Sequence, residues 1–352
     1  MTRTIATAIA AIAVAGAALY ASRGDALPES GDGQSPAPSL THQYADVNNV
    51  RLHYAQSGRG PLIIFLHGFP EFWYEWKSQL AEFGRDHTAV APDMRGYNTS
   101  SKPVELSAYQ IPVLVEDVRA LATAILKTSG GARFTLVAHD WGGVVAWAFA
   151  AMHPEMLDKL VIINAPHPTI FARELRENAA QQQASQYMLM FRGPAAEATL
   201  SANDYALLTS MVLGGGLKDG SVTDVDKALY LAAWSQPGAL TGGLNYYRAA
   251  AIGPPAPSRV EGAASNGAAA SGSAPPAPAA PSAIDGPAMM VRVPTLVIWG
   301  DKDTALLAGN LTGLDQVVPA LTVKHIPDAT HWVVREKPGE VNAFIREFLK
   351  QP

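Results

Sequence analysis

The sequence predicts an α/β fold: a mostly parallel central sheet with helices on both faces and an inserted helical cap. Three observations carry that expectation. Apolar strand-like runs alternate with helical stretches across residues 50–163, a βαβα order that places parallel strands between helical layers. The alternation stops at Asn164, a largely helical segment fills residues 167–250, and strand character returns only at "PTLVIWG", residues 294–300. The chain of 352 residues, 48% hydrophobic and 16% charged, is long and apolar enough for one large core plus an accessory piece.

The N-terminus stands apart from that core. Arg3 is followed by "TIATAIAAIAVAGAALYA", which carries no charge before Arg23, and then by the polar, Gly/Pro/Ser-rich "SRGDALPESGDGQSPAPS". This is the order of a secretory signal, with a small-x-small cleavage site at Gly24-Asp25-Ala26. Residues 1–26 are therefore expected to be a signal peptide, which makes the protein exported. An uncleaved anchor is the alternative, since the run approaches the ~18 residues that span a bilayer, and only that alternative gives the protein a membrane partner. Residues 27–42 read as a linker.

The first part of the core, residues 43–166, begins with strand-like runs at 50–56 and 62–66, a helical stretch at 76–83 and a strand at 88–91. A helix at 113–128 follows, then a buried strand at 134–138, a turn at 139–143, a helix at 144–152 and a strand at 160–163. The cap, residues 167–250, contains aromatic and Met-rich pieces such as "YMLMF" and "LYLAAW". Residues 251–287 are low-complexity Ala, Pro, Gly and Ser, which cannot bury enough surface to offset their ordering entropy, so 253–286 is expected to be a mobile surface loop. The second part of the core, residues 288–352, supplies strands at 294–300 and 321–326 and a closing helix at 341–349.

Composition removes several chemistries. A net charge of -5 without a Lys/Arg-rich run argues against a nucleic-acid partner. The absence of cysteine excludes disulfides, thiolate metal sites and a cysteine nucleophile, so any nucleophile carries oxygen.

That nucleophile is expected at "LVAHDWGGVVAW", residues 136–147. Asp140 lies on the tight turn between strand and helix, with Ala138 and Gly142 two residues to either side. This is the spacing of a nucleophile elbow with Asp in place of Ser. Asp303, after the strand that contains Trp299, and His331, in "DATHW" after the last strand, both fall on loops at the carboxyl ends of parallel strands, where they can meet Asp140. Asp140, Asp303 and His331 follow the nucleophile–acid–histidine chain order of an α/β-hydrolase triad, with Asp301 competing for the acid position. His67-Gly68 in "FLHGFPE" turns the backbone so that the N–H groups of Phe69 and Trp141 form an oxyanion hole. A carboxylate on the elbow attacks a saturated carbon and becomes the acyl part of a covalent ester. His331, oriented by Asp303, then deprotonates the water that cleaves it.

Together these residues resemble the epoxide hydrolases of the α/β-hydrolase superfamily. The resemblance runs from about residue 44 to 350, apart from the low-complexity loop. It rests on "HGFPE", "PDMRGYNTS", "HDWGG", "NAPHP", "LNYYRA", "IWGDKD" and "DATHWVVREKPGEVN". It implies an α/β-hydrolase fold with a cap domain, conversion of an epoxide to a diol, no metal and no cofactor. It also implies two cap tyrosines that protonate the leaving oxygen, matched by Tyr247 in "LNYYRA" and Tyr187 in "SQYMLMF", with Tyr246 and Tyr205 as substitutes. His67, Trp141, Met190 and Phe191 are expected to line the substrate site, and the apolar cap residues point to a lipophilic epoxide. A haloalkane or haloacid dehalogenase with the same Asp nucleophile is the alternative, although no arginine stands just after Asp140 to hold a substrate carboxylate. A non-catalytic ligand receptor on the same fold is a third reading.

Overall fold

The computed structural model describes residues 39–255 and 289–351. The expected signal segment, most of the linker and nearly all of the low-complexity loop lie outside those residues.

The sheet of the described residues has eight strands in the order β1-β2-β4-β3-β5-β6-β7-β8. β1 (Thr41–Val47) pairs antiparallel with β2 (Val50–Ser57), and β2 pairs antiparallel with β4 (Thr88–Pro92). From there the ladder is parallel through β3 (Leu62–Leu66), β5 (Phe134–His139), β6 (Leu157–Ile163), β7 (Thr295–Gly300) and β8 (Leu321–Ile326). β3, β5 and β7 are buried along their whole length, as strands covered on both faces must be.

β1 was not expected as a strand. It starts within the residues read as linker, and most of its side chains are exposed, so it lacks the apolar alternation that marks a half-buried strand.

Helices α1 (Lys77–Phe83), α2 (Ile111–Ser129) and α3 (Asp140–Met152) follow the first strands. The expected five-residue turn before α3 is in fact a single residue. Helical structure begins at Asp140 itself, whose φ of 48° makes the whole corner. Leu136 and Ala138 of β5 pack with Val145 and Phe149 of α3 in one apolar cluster. At about 1.5–3 kcal/mol for each large apolar side chain buried, this packing holds the corner between two rigid elements.

After β6 the chain leaves the sheet to form the cap: α4 (Pro168–Glu177), α5 (Ala179–Ala184), α6 (Tyr187–Arg192), α7 (Ala196–Leu208), a π-helical turn at Thr209–Leu213, α8 (Gly214–Asp219), α9 (Asp224–Trp234) and α10 (Ala239–Ala250). Helix α7 is broken at Asn203, Asp204 and Tyr205, all at positive φ. The described start of the expected surface loop is not all at the surface, since Pro254 is buried, as is Ile252 just before it. The short α11 (Val333–Glu336) and the closing α12 (Pro338–Leu349) complete the core.

Candidate active site

Asp140, Asp303 and His331 come together at the carboxyl ends of β5, β7 and β8, where the loops after parallel strands converge. Asp140 is 8% exposed and sits at the N-terminus of the 13-residue helix α3, whose dipole favours a negative group. Its Oδ1 accepts a 2.7 Å hydrogen bond from the backbone N–H of Phe69, and its Oδ2 lies 3.7 Å from Nε2 of His331.

Two glycines allow this approach. A Cβ on Gly68 would stand 2.3 Å from Oδ1 of Asp140, and one on Gly142 would stand 2.4 Å from the backbone oxygen of Leu66. Either position taken by a larger residue forces the oxyanion loop and the corner apart.

On its other side, Nδ1 of His331 donates to Oδ2 of Asp303 at 2.7 Å. The carboxylate of Asp303 is fixed by four hydrogen bonds. Its Oδ1 accepts from the amides of Ala305 and Leu306, and its Oδ2 accepts from Asn164 at 2.8 Å as well as from His331. Burial pushes the Asp303 carboxyl up, but His331, the Leu306 amide and Asn164 outweigh it and hold the group below the usual carboxylate range. The competing Asp301 instead pairs with His325 at 2.7 Å on the exposed side of β8.

Burial lowers the basicity of His331, but Asp303, Asp140 and Glu75 raise it further, to about 9. His139 beneath it behaves oppositely. Burial and the His331 charge lower it to about 4, and its Nε2 donates to the carbonyl of His331 at 2.9 Å.

Sequence reasoning missed Asn164. It stands at the end of β6 with φ 38°, and its side chain bridges β7 and the acid: Oδ1 accepts from the Gly300 amide at 2.7 Å while Nδ2 reaches Asp303. The available signal was the "NAPHP" stretch directly after a buried strand.

The cap closes over Asp140 with an aromatic box. Tyr247 is 2% exposed, and its ring centroid lies 4.9 Å from Trp141, 5.1 Å from Phe191 and 5.5 Å from Phe69. Tyr187 stacks edge-on against Phe191 at 5.2 Å and lies 6.4 Å from Tyr247, ring to ring. Burial first, and then the Asp140 carboxylate, raise both phenols well above their ordinary value, so both feel the nucleophile and stay protonated. A side-chain hydrogen bond with Trp141 works against that rise at Tyr247.

Of the substitutes, Tyr246 spends its hydroxyl on the Arg95 carbonyl at 2.9 Å, and Tyr205 stacks on Trp234 in the broken part of α7. Met190 is half-buried, three residues beyond Tyr187, and packs against the same core.

His67 corrects an expectation. Its Nδ1 bonds the Gly68 carbonyl at 2.9 Å and its Nε2 accepts from the Met94 amide at 3.0 Å, so neither ring nitrogen is left for substrate. Its imidazole, fully buried and driven by that burial down to about 4, braces the oxyanion loop instead.

No group of three or more His, Cys, Asp or Glu side chains suited to a metal ion occurs among the described residues.

Comparison with known proteins places this geometry among relatives. Residues 61–338 match the alpha/beta hydrolase fold family. The chain is 33% identical to epoxide hydrolase 2 of Caenorhabditis elegans over 316 residues, covering 88% of this chain and 80% of that protein. It is 34% identical to human epoxide hydrolase 4 over 328 residues, covering 89% and 80%. A solved structure of a Bacillus megaterium epoxide hydrolase in complex with an inhibitor superposes with a TM-score of 0.75 at 35% identity, covering 88% of this chain and all of that one.

Proposed function

The chain belongs to the α/β-hydrolase family and, within it, is an epoxide hydrolase; from that premise we propose that it opens its substrate through a covalent ester on Asp140. The observation that carries this reading is the corner itself, a carboxylate with one oxygen on the Phe69 amide and the other facing a histidine already bonded to Asp303.

In the first half-reaction the free oxygen of Asp140 attacks an epoxide carbon, and the C–O bond of the ring breaks. Tyr187 and Tyr247 donate the proton that the leaving alkoxide requires. The side-chain hydrogen bond that Tyr247 shares with Trp141 favours its anion and so assists the release of its proton.

Alkylation turns Asp140 into a neutral ester and so removes one of the charges that hold His331 protonated. His331 then gives up its proton, which restores the tyrosine, and becomes the base for the second half-reaction. It deprotonates water, the hydroxide attacks the Asp140 carbonyl carbon, and the oxyanion rests on the Phe69 and Trp141 amides. Collapse releases the diol, returns Asp140 to the carboxylate and leaves His331 protonated, so the cycle closes without net proton change.

The aromatic lining of Phe69, Trp141, Phe191, Tyr187 and Tyr247 supports a lipophilic epoxide as substrate. Export or anchoring by residues 1–26 is proposed on their sequence pattern alone.

Turnover of styrene oxide, a fatty-acid epoxide, a bromoalkane and fluoroacetate tests the reading. Diol from the epoxides with no halide release is expected; halide release without diol selects the dehalogenase alternative, which shares the Asp140 ester, whereas steady turnover by His331→Gln with no adduct overturns the ester itself.

A further inference from the structure

The cap covers the nucleophile: Asp140, Phe191 and Tyr247 are each less than a tenth exposed, while Tyr187 and His331 keep partial exposure. One side chain outside the triad joins the cap, the oxyanion loop and the segment that follows the catalytic histidine. Arg335 lies four residues beyond His331, on α11, with its side chain 14% exposed. Its Nη1 donates to Oε1 of Glu71 at 2.9 Å and to the Tyr230 hydroxyl at 3.2 Å, and its Nη2 donates to the Val212 carbonyl.

These partners belong to different parts of the molecule. Glu71 is two residues past Phe69 on the oxyanion loop, and Tyr230 and Val212 belong to the cap. Val212 lies in the π-helical turn at Thr209–Leu213. Tyr230 closes the triangle by donating to Oε2 of Glu71 at 2.5 Å, and nearby Trp234 of the cap donates to the Pro70 carbonyl at 2.7 Å.

The same guanidinium compensates a crowded set of acids. Glu71 and Glu75 are both nearly inaccessible, and burial pushes them up to about 7 and about 8, with Arg335 opposing the rise in each case. Glu75 lies 2.6 Å from Nδ1 of His139, out of hydrogen-bonding alignment, and His139 in turn holds the His331 carbonyl. Arg335 therefore reaches the catalytic histidine by two routes, along the short helix that follows it and through the field at Glu75 and His139.

We propose that Arg335 is a positioning residue that couples cap closure to assembly of the hydrolytic half of the site. With the cap down, one guanidinium fixes the cap, the oxyanion loop and the histidine loop relative to one another. When the cap lifts, the bonds to Val212 and Tyr230 part, and the Arg335–Glu71 pair that ties the two loops together loses the cap contacts that hold its geometry. Ester hydrolysis, which needs the His331 base and the Phe69 amide in register, depends on that anchor more than alkylation does. Alkylation relies on Asp140, fixed by the helix corner, and on Tyr187 and Tyr247, which stand on cap helices α6 and α10 rather than on the cap elements that bond Arg335.

The inference rests on the ester reading, and the test separates the two. Alkylation and hydrolysis are followed individually by rapid acid quench and intact-protein mass in the wild type, Arg335→Gln, Arg335→Lys and Tyr230→Phe, across pH. Arg335→Gln is expected to slow hydrolysis by about tenfold or more, to change alkylation by less than about threefold, and so to accumulate ester. The pH midpoint of hydrolysis should also shift, because Arg335 opposes the rise of Glu71 and Glu75, and Glu75 in turn acts with Asp303 and Asp140 to raise His331. Arg335→Lys should restore part of the hydrolysis rate, and Tyr230→Phe should show a smaller loss in the same step. These two milder variants carry the test if Arg335→Gln does not fold. Equal losses in both steps that track melting temperature, or an unchanged partition and pH midpoint, overturn the role of Arg335 while leaving the ester intact. No adduct in the wild type or in His331→Gln overturns the ester reading, and this inference with it.

Discussion

The backbone N–H of Phe69 donates a 2.7 Å hydrogen bond to Oδ1 of Asp140, so the oxyanion donor and the nucleophile are engaged before any substrate arrives. The donor that steadies the carboxylate is placed to hold the oxygen of the tetrahedral intermediate later, at little reorganisation cost.

Replacing the histidine should split the reaction. If His331 serves only as the base for hydrolysis, His331→Gln is still alkylated and stalls as the ester on Asp140, with a mass increase of one substrate. Steady turnover with no adduct would remove His331 from that role.

The tyrosines should act on the other step. Tyr187→Phe and Tyr247→Phe are each expected to slow alkylation by about 10²-fold, in the range of general-acid contributions, and the double variant should nearly abolish it. Single-turnover rates that are unchanged in the double variant would exclude both as proton donors.

Isotope placement reports the covalent path directly. With enzyme in excess over epoxide in oxygen-18 water, the first diol should be mostly unlabelled and the peptide containing Asp140 should gain label. Labelled diol from the first turnover with an unlabelled peptide would mean that water attacks the epoxide without an ester.

Gly68 offers a steric test. Because its Cβ would stand 2.3 Å from Oδ1 of Asp140, Gly68→Ala should lower kcat/KM by about 10²-fold or more while costing only the about 1–3 kcal/mol typical of overpacking. Near-normal turnover would show that the loop and the nucleophile do not meet this closely.

Stability should fall with alkaline pH in a way that depends on His331. Its folded value of about 9 lies above the ordinary 6.5, so the folded protein binds the extra proton. The resulting stabilisation is full below pH 6.5 and disappears as pH rises through about 9. Glu75, raised to about 8, acts in the same direction and remains in the variant. Urea unfolding from pH 6 to 10 should therefore be steeper in pH for the wild type than for His331→Gln, and parallel curves would contradict the assignment.

The features legible in the sequence share a local cause. Asp140 and Asp303 announce themselves through the strand end, small neighbours and loop around them, and the order of the triad follows from the topology of the sheet. What remained hidden depends on distant partners. Asn164 acquires its meaning only when β7 lies beside β6, and Arg335 only when the cap descends on it. The exposed β1 offered no periodic apolar face to read. His67 was misread because its neighbours in sequence imply the site, whereas its hydrogen bonds show that it braces the loop.

The left-handed backbone at Asp140, φ 48°, decides which inactive protein is a faithful stand-in for the active one. Asparagine tolerates that conformation nearly as well as any residue with a side chain, and its amide oxygen can still accept from Phe69. Alanine enters the same region less readily, so Asp140→Ala relaxes the bend whose shape is under study, and Asp140→Ser, although serine occupies such elbows, carries no oxygen as far out as Oδ1 to accept from Phe69. Asp140→Asn is thus the decoy with which to capture an unreacted epoxide beneath the cap, and the chirality of the chain, as much as the chemistry of the side chain, selects it.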